Sequence, residues 1–308
     1  MSSAVEIWIV NFESSTLVDK CIRSLPDRGA ARVIVLDNGS SEDDYHQLVE
    51  VARKHPSVHM IRSDTNLGFG EGHNLISRHS HAKPDDLVWL LNPDVEVLPG
   101  ALAGLKEVLD DSRADIVSPA IVMPRDGATR LWFSGGSIDT ARGSVVDSQL
   151  GRDPLALEGA PELLPTGFIT GTAPMMRRDV WDALGGFRPD LHLYWEDVDL
   201  SLRAAAMGLR MAVATGARVE HAEGKSSRSS KALRVTSYWF MSRNRVLVCR
   251  RPGTRGIGLV LGPGTGALAR LMAYSTAREG RGRVRRLFAI AGGAITALRT
   301  SPNLRLER

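Results

Sequence analysis

Apolar residues cluster in short continuous runs through the first 110 positions, and segments with helical spacing separate these runs. The runs, which are typical of buried parallel strands, lie at 5–10, 33–36, 58–62 and 87–91. Helical spacing begins near Ser14 or Ser15, near Asp43, after Gly70 and near Pro99. Strands that alternate with helices predict an α/β fold, in which helices cover both faces of a mostly parallel sheet.

The pattern weakens beyond residue 114 and returns near residue 166. We predict strands at 115–117 and 211–214, an exposed bend at 134–137 and a long binding loop at 147–161. A strand is predicted at 166–176, followed by a short helix at 178–184 that two glycines close. A further helix is predicted from the acidic cluster at 196–199 to Met207, where Gly208 ends it.

A carboxamide, a proline and a carboxylate follow the apolar run 87–91 directly, as Asn92, Pro93 and Asp94. In an open α/β sheet, ligands bind beyond the carboxyl ends of the strands, which places Asp94 where a cation and a diphosphate would meet. Magnesium takes one or two protein carboxylates and completes its shell with water and phosphate oxygens. Asn-Pro-Asp is also ordinary turn chemistry, so this stretch by itself leaves both explanations open.

Polar residues also follow the second strand, as Asp37, Asn38 and Ser40. We interpret Asp37 as the acceptor for the N3–H group of a uracil or thymine ring, with Asn38 and Ser40 holding the ribose or fixing the loop. An ordinary Asx turn is the alternative. Further along the chain, the loop 66–70 offers backbone N–H groups and flexible glycines beside a helix start, which suits a phosphate or a sugar.

Acids also cluster at the predicted helix start near residue 196, directly after Tyr194 and Trp195. Acids at this position stabilise the helix dipole, which is the simpler explanation. Aromatic rings beside a carboxylate equally suit a sugar-binding pocket, so two explanations stand for this cluster. His221 is a lone histidine, for which a structural role is the more common one.

Charge divides unevenly along the 308 residues. Residues 225–308 contain 18 Lys and Arg and only two acids, whereas residues 1–224 contain 21 basic and 33 acidic residues. An acidic body with a basic tail predicts that the tail faces an anionic partner. Two cysteines give no disulfide framework and favour a reducing compartment. The sequence predicts neither a signal peptide nor a membrane span.

Taken together, these motifs resemble family 2 glycosyltransferases of the GT-A fold, which is Rossmann-like. The resemblance covers residues 4–225 and is strongest to bacterial rhamnosyltransferase-like members. It rests on the order and spacing of the segments 9–12, 35–40, 66–70 with Asn74, 91–94, 185–187, 195–200 and 219–221. The family implies inverting transfer of a sugar from a nucleotide donor to an acceptor hydroxyl, with Mg²⁺ or Mn²⁺ as cofactor.

The resemblance also implies roles for individual residues. Asp197 matches the catalytic base, and Glu196 would orient the acceptor or the loop. Asp94 matches the last acid of the metal-binding DXD motif, whose first acid is replaced here by Asn92, and His221 matches a further metal ligand of some relatives. The nucleotide-sugar donor would contact Asn11, Glu13, Asp37, Asn38, Ser40, Asn66, Gly68, Asn74, Asn92 and Trp195.

The region 226–308 is a predicted basic, helical extension of a catalytic domain at 1–225. A helix is predicted at 237–245, and beyond it apolar stretches alternate with arginines. Such a basic amphipathic segment is typical of a membrane-surface anchor. A solvated helical face and a homodimer contact are the alternatives. Nucleic acid is not an expected partner, because no recognition motif accompanies the charge.

The sequence therefore predicts a metal-dependent, inverting glycosyltransferase that is cytoplasmic or peripheral on the inner face of the cytoplasmic membrane. The expected donor is dTDP-L-rhamnose, and the expected acceptor is a saccharide or lipid-linked saccharide of the cell envelope. A transferase that uses a UDP-hexose or UDP-galactofuranose is the first alternative. An inactive nucleotide-sugar-binding scaffold is the second, and the Asn92 replacement is the feature that favours it.

Overall fold

The computed structural model describes residues 3–26, 32–222, 235–277 and 282–301 of the chain. Its strands are β1 (Val5–Asn11), β2 (Arg32–Asn38), β3 (Val58–Ser63), β4 (Leu87–Leu91), β5 (Val95–Val97), β6 (Ile116–Arg125), β7 (Ala128–Phe133), β8 (Gly136–Asp139), β9 (Ser144–Asp147), β10 (Leu163–Pro165), β11 (Met175–Arg177) and β12 (Met211–His221). Its helices are α1 (Ser15–Ser24), α2 (Glu42–Lys54), α3 (Phe69–His79), α4 (Ala101–Asp110), α5 (Arg178–Leu184), α6 (Glu196–Ala206), α7 (Val235–Cys249), α8 (Gly258–Leu261), α9 (Thr265–Ala277) and α10 (Arg283–Arg299).

A mixed sheet in the order β10-β12-β6-β11-β4-β1-β2-β3 forms the centre of the fold. β1 pairs in parallel with β2 and β4, and β2 pairs in parallel with β3. β11 lies antiparallel between β4 and β6, and β12 runs parallel to β6. The carboxyl ends of β1, β2 and β4, at Asn11, Asn38 and Leu91, therefore meet at one edge of the sheet. The predicted α/β architecture is confirmed.

Helices on both faces explain why the central strands are apolar along their whole length. Every residue of β4 is buried. Trp89 packs into a core that includes residues of α1 and α4, whereas Val88 and Leu90 pack into a second core with residues of α3, α5 and α6. Successive side chains of a strand point to opposite faces, so one apolar run supplies both cores.

Two predictions for the region 134–176 were wrong. The expected strand at 166–176 is replaced by β10, a loop at 166–174 and β11. Within this loop, two N–H groups bond to side chains of α6 instead of a neighbouring strand; the Ile169 N–H group donates to Ser201 Oγ at 3.1 Å, and the Gly171 N–H group donates to Asp197. The chain bends at Ser134, but this residue is buried rather than exposed, and Gly136 begins β8, which pairs with β9.

The C-terminal helices α7 to α10 pack around two small apolar clusters of their own. The backbones of α7 and α10 approach closely at Gly293, where a Cβ atom would lie 2.3 Å from the Trp239 carbonyl oxygen. The predicted domain boundary at residues 225 and 226 lies outside the described residues. Among the helices of the described ranges, none combines the length and the hydropathy that crossing a bilayer requires.

His73 is a titratable group on the buried face of α3, with 1% of its surface exposed. Its Nδ1 bonds to the Phe69 carbonyl oxygen at 3.0 Å, and its ring centroid lies 4.4 Å from that of Phe69. Nε2 has no hydrogen-bond partner among the described residues. Burial therefore lowers the pKa of His73 to about 4.

We expect acid to destabilise the protein through His73. Below the ordinary pKa of 6.5, the unfolded chain binds a proton that the folded state does not bind until the pH approaches 4. This difference removes about 2 kcal/mol from the free energy of unfolding between pH 7 and pH 5. Urea unfolding at both pH values should show this loss in the wild type and a smaller one in His73→Leu. An equal loss in the variant would contradict the assignment.

Candidate active site

The carboxylate of Asp37 lies at the end of β2 and is fully buried. Its Oδ1 accepts a hydrogen bond from Asn11 Nδ2, at the end of β1, over 3.4 Å. Its Oδ2 has no hydrogen-bond partner among the described residues, and Arg62 Nε lies 3.5 Å from it. Buried polar atoms are rarely left unpaired, so this oxygen has the capacity to accept a hydrogen bond from a ligand.

Glu13 and Ser40 shape the two turns that surround Asp37. Ser40 Oγ accepts hydrogen bonds from the Glu13 N–H group at 3.0 Å and from Asn11 Nδ2 at 3.3 Å. The Glu13 carboxylate accepts from the N–H group of Ser41 at 2.7 Å and from its hydroxyl at 3.0 Å. Ser41 is the N-cap of α2, so both side chains are engaged in bonds that tie the β1–α1 turn to the β2–α2 turn.

Asn38 and Asn66 hold the loop that precedes α3. Asn38 Oδ1 accepts from the Leu67 N–H group at 2.9 Å, and its Nδ2 donates to the Gly68 carbonyl at 3.1 Å. Asn66 Oδ1 accepts from the Gly68 N–H group at 2.8 Å. Gly68 has a φ of +84°, and a Cβ atom there would lie 2.1 Å from the His192 carbonyl oxygen. Only glycine lets this loop touch the segment that precedes α6.

Asn74 lies away from these strand ends and supports a different loop. Its Oδ1 accepts from the Phe187 N–H group at 2.9 Å, and its Nδ2 donates to the Phe187 carbonyl at 2.8 Å. Both backbone groups of Phe187 are therefore satisfied by one amide of α3. The structure places Asn74 as a support for the turn at Gly186 and Phe187 rather than among the groups around Asp37.

Asp94 and His221 are brought together by the pairing of β5 with β12, in which His221 lies opposite Val95. Asp94 Oδ1 and His221 Nε2 are 3.2 Å apart, and both side chains are buried. His221 Nδ1 has no hydrogen-bond partner among the described residues, and the Trp132 ring packs edge-on at 4.8 Å between centroids. Asn92, two residues before Asp94, is partly buried in the same turn.

This pair suits two ligand positions of a divalent cation. A carboxylate oxygen and an imidazole nitrogen are both ordinary ligands for Mn²⁺, and the carboxylate suits Mg²⁺. The described residues contain no cluster of three or more acidic, His or Cys side chains that would hold a metal ion unaided. A cation at Asp94 would therefore need oxygens from a phosphate group and from water, which is the usual mode for Mg²⁺.

Glu196 and Asp197 begin α6 and differ in their surroundings. Asp197 is partly exposed, and its carboxylate accepts from the Gly171 N–H group at 3.2 Å and from the Val198 N–H group at 2.8 Å. Glu196 is buried, and its Oε2 has no hydrogen-bond partner among the described residues. The backbone therefore fixes the orientation of the Asp197 carboxylate, while one oxygen of the buried Glu196 carboxyl has no partner among the described residues.

These surroundings set the charge of the pair. Burial, with the neighbouring Asp197 charge, raises the pKa of Glu196 to about 8. Burial also raises the pKa of Asp197, against the two backbone hydrogen bonds that lower it. Burial and the proximity of the two carboxyl groups thus oppose a second negative charge on the pair. A carboxylate with a raised pKa is a stronger base than an exposed one.

One short peptide segment joins the Asp94 side of the site to the Asp197 side. The Thr172 carbonyl accepts a hydrogen bond from the Asn92 N–H group at 2.9 Å. The preceding residue, Gly171, donates its N–H group to Asp197. Neighbouring Cα atoms are about 3.8 Å apart, so the turn at 92–94 and the Asp197 carboxylate flank the same two residues.

Trp195 directly precedes the acidic pair and has a left-handed backbone, with a φ of +74°. Its partly buried side chain packs against both the main core and the small cluster of the C-terminal helices. The sequence analysis missed Arg62, the segment 171–172 and Asn244 of α7, because their roles depend on contacts across long stretches of chain. For Asn244 the available signal was the polar triplet Arg-Asn-Arg at 243–245.

Solved structures with a similar fold are glycosyltransferases. The chain aligns over 93% of its length, and 54% of the other chain, with a GalNAc-T7 structure containing UDP, GalNAc and Mn²⁺, at a TM-score of 0.64 and 14% identity. It aligns over 95% of its length, and 74% of the other chain, with the mannosyltransferase PcManGT of Pyrobaculum calidifontis bound to GDP-Man and Mn²⁺, at a TM-score of 0.54 and 15% identity. These likenesses confirm the GT-A fold.

Sequence relatives agree with this assignment. An N-acetylglucosaminyl-diphospho-decaprenol L-rhamnosyltransferase of Mycobacterium tuberculosis is 25% identical over 233 residues, which is 70% of this chain and 74% of the relative. The O-antigen biosynthesis protein RfbC of Myxococcus xanthus is 30% identical over 145 residues, which is 43% of this chain and 11% of that protein. The sequence model described as Glycosyl transferase family 2 matches residues 6–185, more than half of the chain. The chain therefore belongs to glycosyl transferase family 2 and is a glycosyltransferase.

Proposed function

We propose that the enzyme transfers L-rhamnose from dTDP-L-rhamnose to a hydroxyl of a lipid-linked saccharide, with inversion at the anomeric carbon. The observation that carries this proposal is that the segment 171–172 bonds both to the turn that contains Asp94, through the Asn92 N–H group, and to the Asp197 carboxylate. The name of the mycobacterial relative supports L-rhamnose as the sugar and a lipid-linked saccharide as the acceptor.

Asp37 is the proposed contact for the nucleobase. Its buried Oδ2, without a hydrogen-bond partner among the described residues, would accept the N3–H group of thymine. Uracil presents the same N3–H group, so this contact does not separate dTDP from UDP. A transferase for a UDP-hexose or UDP-galactofuranose therefore remains the alternative, which the UDP in the GalNAc-T7 structure also supports.

Asp94 and His221 would hold a Mg²⁺ or Mn²⁺ ion beside the diphosphate, where the cation supplies charge stabilisation for the leaving group when bound. Asn92 contributes no charge there, so Asp94 is the single carboxylate of the turn at 92–94. Mn²⁺ in both solved neighbours supports the use of a divalent cation.

Asp197 is the proposed general base. It takes the proton of the acceptor hydroxyl while that oxygen forms its bond to the anomeric carbon and the bond from that carbon to the diphosphate oxygen breaks. The proton ends on Asp197, and the nucleoside diphosphate leaves with the electron pair of the broken bond. Glu196, whose pKa is raised by burial, would donate a hydrogen bond when it is protonated and would orient the acceptor or its loop.

A catalytically inactive scaffold that binds nucleotide sugars is the second alternative. Asn92 is the feature that favours it, because an acid is missing from the metal-binding turn. The oriented carboxylate of Asp197 favours an active enzyme, because a scaffold has no need for a base at this position.

Asp197→Asn should abolish transfer and leave donor binding intact. The amide has almost the same size but cannot accept the acceptor proton, and loss of a general base costs about 10²–10⁴-fold in kcat. We would measure kcat with dTDP-L-rhamnose and the dissociation constant of dTDP. In the wild type, kcat should rise with pH as Asp197 loses its proton, and this dependence should disappear in the variant.

Asp182→Asn is the matched control for that experiment. It makes the same substitution at a carboxylate of α5 that pairs with Arg178 on the surface, so it should keep the wild-type kcat. An Asp197→Asn enzyme that turned over at the wild-type rate would show that Asp197 is not the base.

Nucleotide and cation should stabilise the protein together. A ligand at one hundred times its dissociation constant adds about 2.7 kcal/mol to the free energy of unfolding. We expect dTDP with Mn²⁺ or Mg²⁺ to raise the melting temperature more than dTDP with a chelator does. Asp94→Asn should remove the metal-dependent part, whereas Glu96→Gln, which changes an exposed acid of the following strand β5, should retain it.

The rise in melting temperature with UDP, compared with that with dTDP, distinguishes a UDP-sugar donor from a dTDP-sugar donor. A larger metal-dependent shift with UDP than with dTDP would favour the UDP-sugar alternative. No shift with either nucleotide would contradict the proposed nucleotide-sugar site.

We further propose that the outer face of α10 rests on an anionic membrane surface, which on the cytoplasmic side would present the lipid-linked acceptor. This face consists of Val284, Phe288 and Ile295, which are 64%, 73% and 48% exposed and share one side of the helix, with the exposed Arg283, Arg285 and Arg299 beside them. The opposite side, with Ile290 and Ala297, is buried. Apolar side chains flanked by arginines match the interfacial region of anionic bilayers.

Vesicle binding tests this face. The wild type should bind vesicles that contain anionic lipid, and high salt should release it, because each arginine near the surface contributes about 1 kcal/mol. Phe288→Ser should weaken binding by about tenfold or more through lost apolar burial. Leu155→Ser, at an exposed leucine outside α10, is the control. Equal binding to neutral vesicles, or a dimer that Phe288→Ser dissociates, would contradict the proposal.

A further inference from the structure

The segment 191–195, which delivers Glu196 and Asp197 to the site, has an unusual backbone. His192, Tyr194 and Trp195 all have positive φ values, of 58°, 66° and 74°. None of them is glycine, and the left-handed conformation is unfavourable for residues that carry a Cβ atom. Such a path persists only where the surroundings impose it.

The side chain of Asn244, from the C-terminal helix α7, imposes this path. Asn244 is fully buried, and its Nδ2 lies 2.6 Å from the carbonyl oxygen of Leu191 and 2.9 Å from those of Leu193 and Tyr194, so its two N–H groups are shared among three acceptors. Its Oδ1 accepts a hydrogen bond from Arg243 NH1 at 2.7 Å. One amide thus serves three carbonyls that no helix or sheet ladder satisfies.

Neighbouring groups bind the remaining carbonyls of the segment 190–194. Arg243 NH1 also donates to the Asp190 carbonyl at 2.9 Å. The His192 carbonyl accepts from the Phe69 N–H group at 2.9 Å, at the end of the loop that carries Asn66 and Gly68. All five carbonyls from 190 to 194 are therefore bound, four by α7 and one by the loop before α3.

The held segment fixes where α6 begins. The first turn of α6 forms when the Asp199 N–H group bonds to the Trp195 carbonyl at 2.9 Å. A shift of 191–195 would move the start of α6, and with it the Asp197 carboxylate that Gly171 also binds. It would also move the His192 carbonyl, against which Gly68 fits without a Cβ atom.

We infer that Asn244 is a positioning residue for the transfer reaction. From helix α7 of the C-terminal extension, it holds Asp197 in a fixed position relative to the loop that carries Asn66 and Gly68. The inference rests on the proposed role of Asp197 as base. It assigns a catalytic consequence to the C-terminal extension that is independent of any membrane contact.

Asn244→Asp is the test, because it keeps the size and shape of the side chain and replaces the donating amide with a carboxylate that faces three carbonyls. A misplacement of about 1 Å at a catalytic group costs on the order of 10²-fold. We expect kcat to fall about 100-fold while the dissociation constant of dTDP with Mn²⁺ stays within about twofold. The midpoint of the pH dependence of kcat should also move, because the surroundings of Asp197 change.

Ser242→Ala is the matched control. Ser242 is fully buried on the same helix, and its hydroxyl has no hydrogen-bond partner among the described residues. The variant should therefore keep the wild-type kcat. Arg243→Ala is a milder second variant in case Asn244→Asp does not fold; it removes one support of Asn244 and should lower kcat about tenfold at unchanged dTDP affinity.

Hydrogen exchange separates failure of this inference from failure of the proposed function. In Asn244→Asp, amide exchange should accelerate in 191–197 and stay unchanged in β1 and β4. A folded Asn244→Asp enzyme with kcat within twofold of wild type would overturn the inference, as would a kcat loss matched by an equal loss of dTDP affinity. If the wild type transfers no sugar and exchange is nevertheless accelerated in the variant, the proposed function would be rejected. The role of Asn244 in fixing the segment 191–195 would then still be supported.

Discussion

The site depends on the backbone of two consecutive residues, Gly171 and Thr172. One gives its N–H group to Asp197 and the other gives its carbonyl to Asn92, so the turn at 92–94 and the acidic pair share one support. A Cβ atom at Gly171 would lie 3.0 Å from the Phe69 ring, so a larger residue there would require that ring to move. Within the loop 166–174, the carbonyls of Thr172 and Pro174 bond to the N–H groups of Asn92 and Leu90, whereas the N–H groups of Ile169 and Gly171 bond to side chains of α6.

The distribution of acidic groups around Asp94 bears on the proposed divalent cation. Asp37, Asp94 and Glu196 are buried acids that gather near the carboxyl ends of the strands and at the start of α6. A diphosphate donor adds further negative charge, which like charges would repel. Arg62 lies near Asp37, and the imidazole of His221 contacts Asp94, but among the described residues no Lys or Arg forms an ion pair with Asp94. A divalent ion at Asp94 would balance the charge of the donor, and the raised pKa of Glu196 opposes a further negative charge beside Asp197.

The sequence predicted the sheet and the placement of Asp37 and Asp94 because both follow from local rules. Short apolar runs mark buried strands, and parallel strands place their carboxyl ends together. The failures came where backbone groups bond to distant side chains, as in the loop 166–174. No local sequence pattern predicts that Ser201 Oγ accepts a hydrogen bond from the Ile169 N–H group. The hydrogen-bond partners of Glu13 and Asn74 were hidden for the same reason, since they lie on other turns and loops of the fold.

The C-terminal helices contact the segment that leads into α6, where Glu196 and Asp197 lie. Trp195 packs against the main core and also against the cluster that contains Val246, Leu259 and Ala297. Arg245, beside Asn244, donates to the carbonyls of Leu259 and Gly264. Helix α7, which binds the segment 191–195, is therefore itself bonded to α8 and to the turn that follows α8. α10 packs along α7 at Gly293, with its exposed apolar face turned away. The positive-φ path through His192, Tyr194 and Trp195 is therefore maintained by residues some 50 positions later in the chain, so a helix of the predicted C-terminal extension contacts the segment that leads into α6.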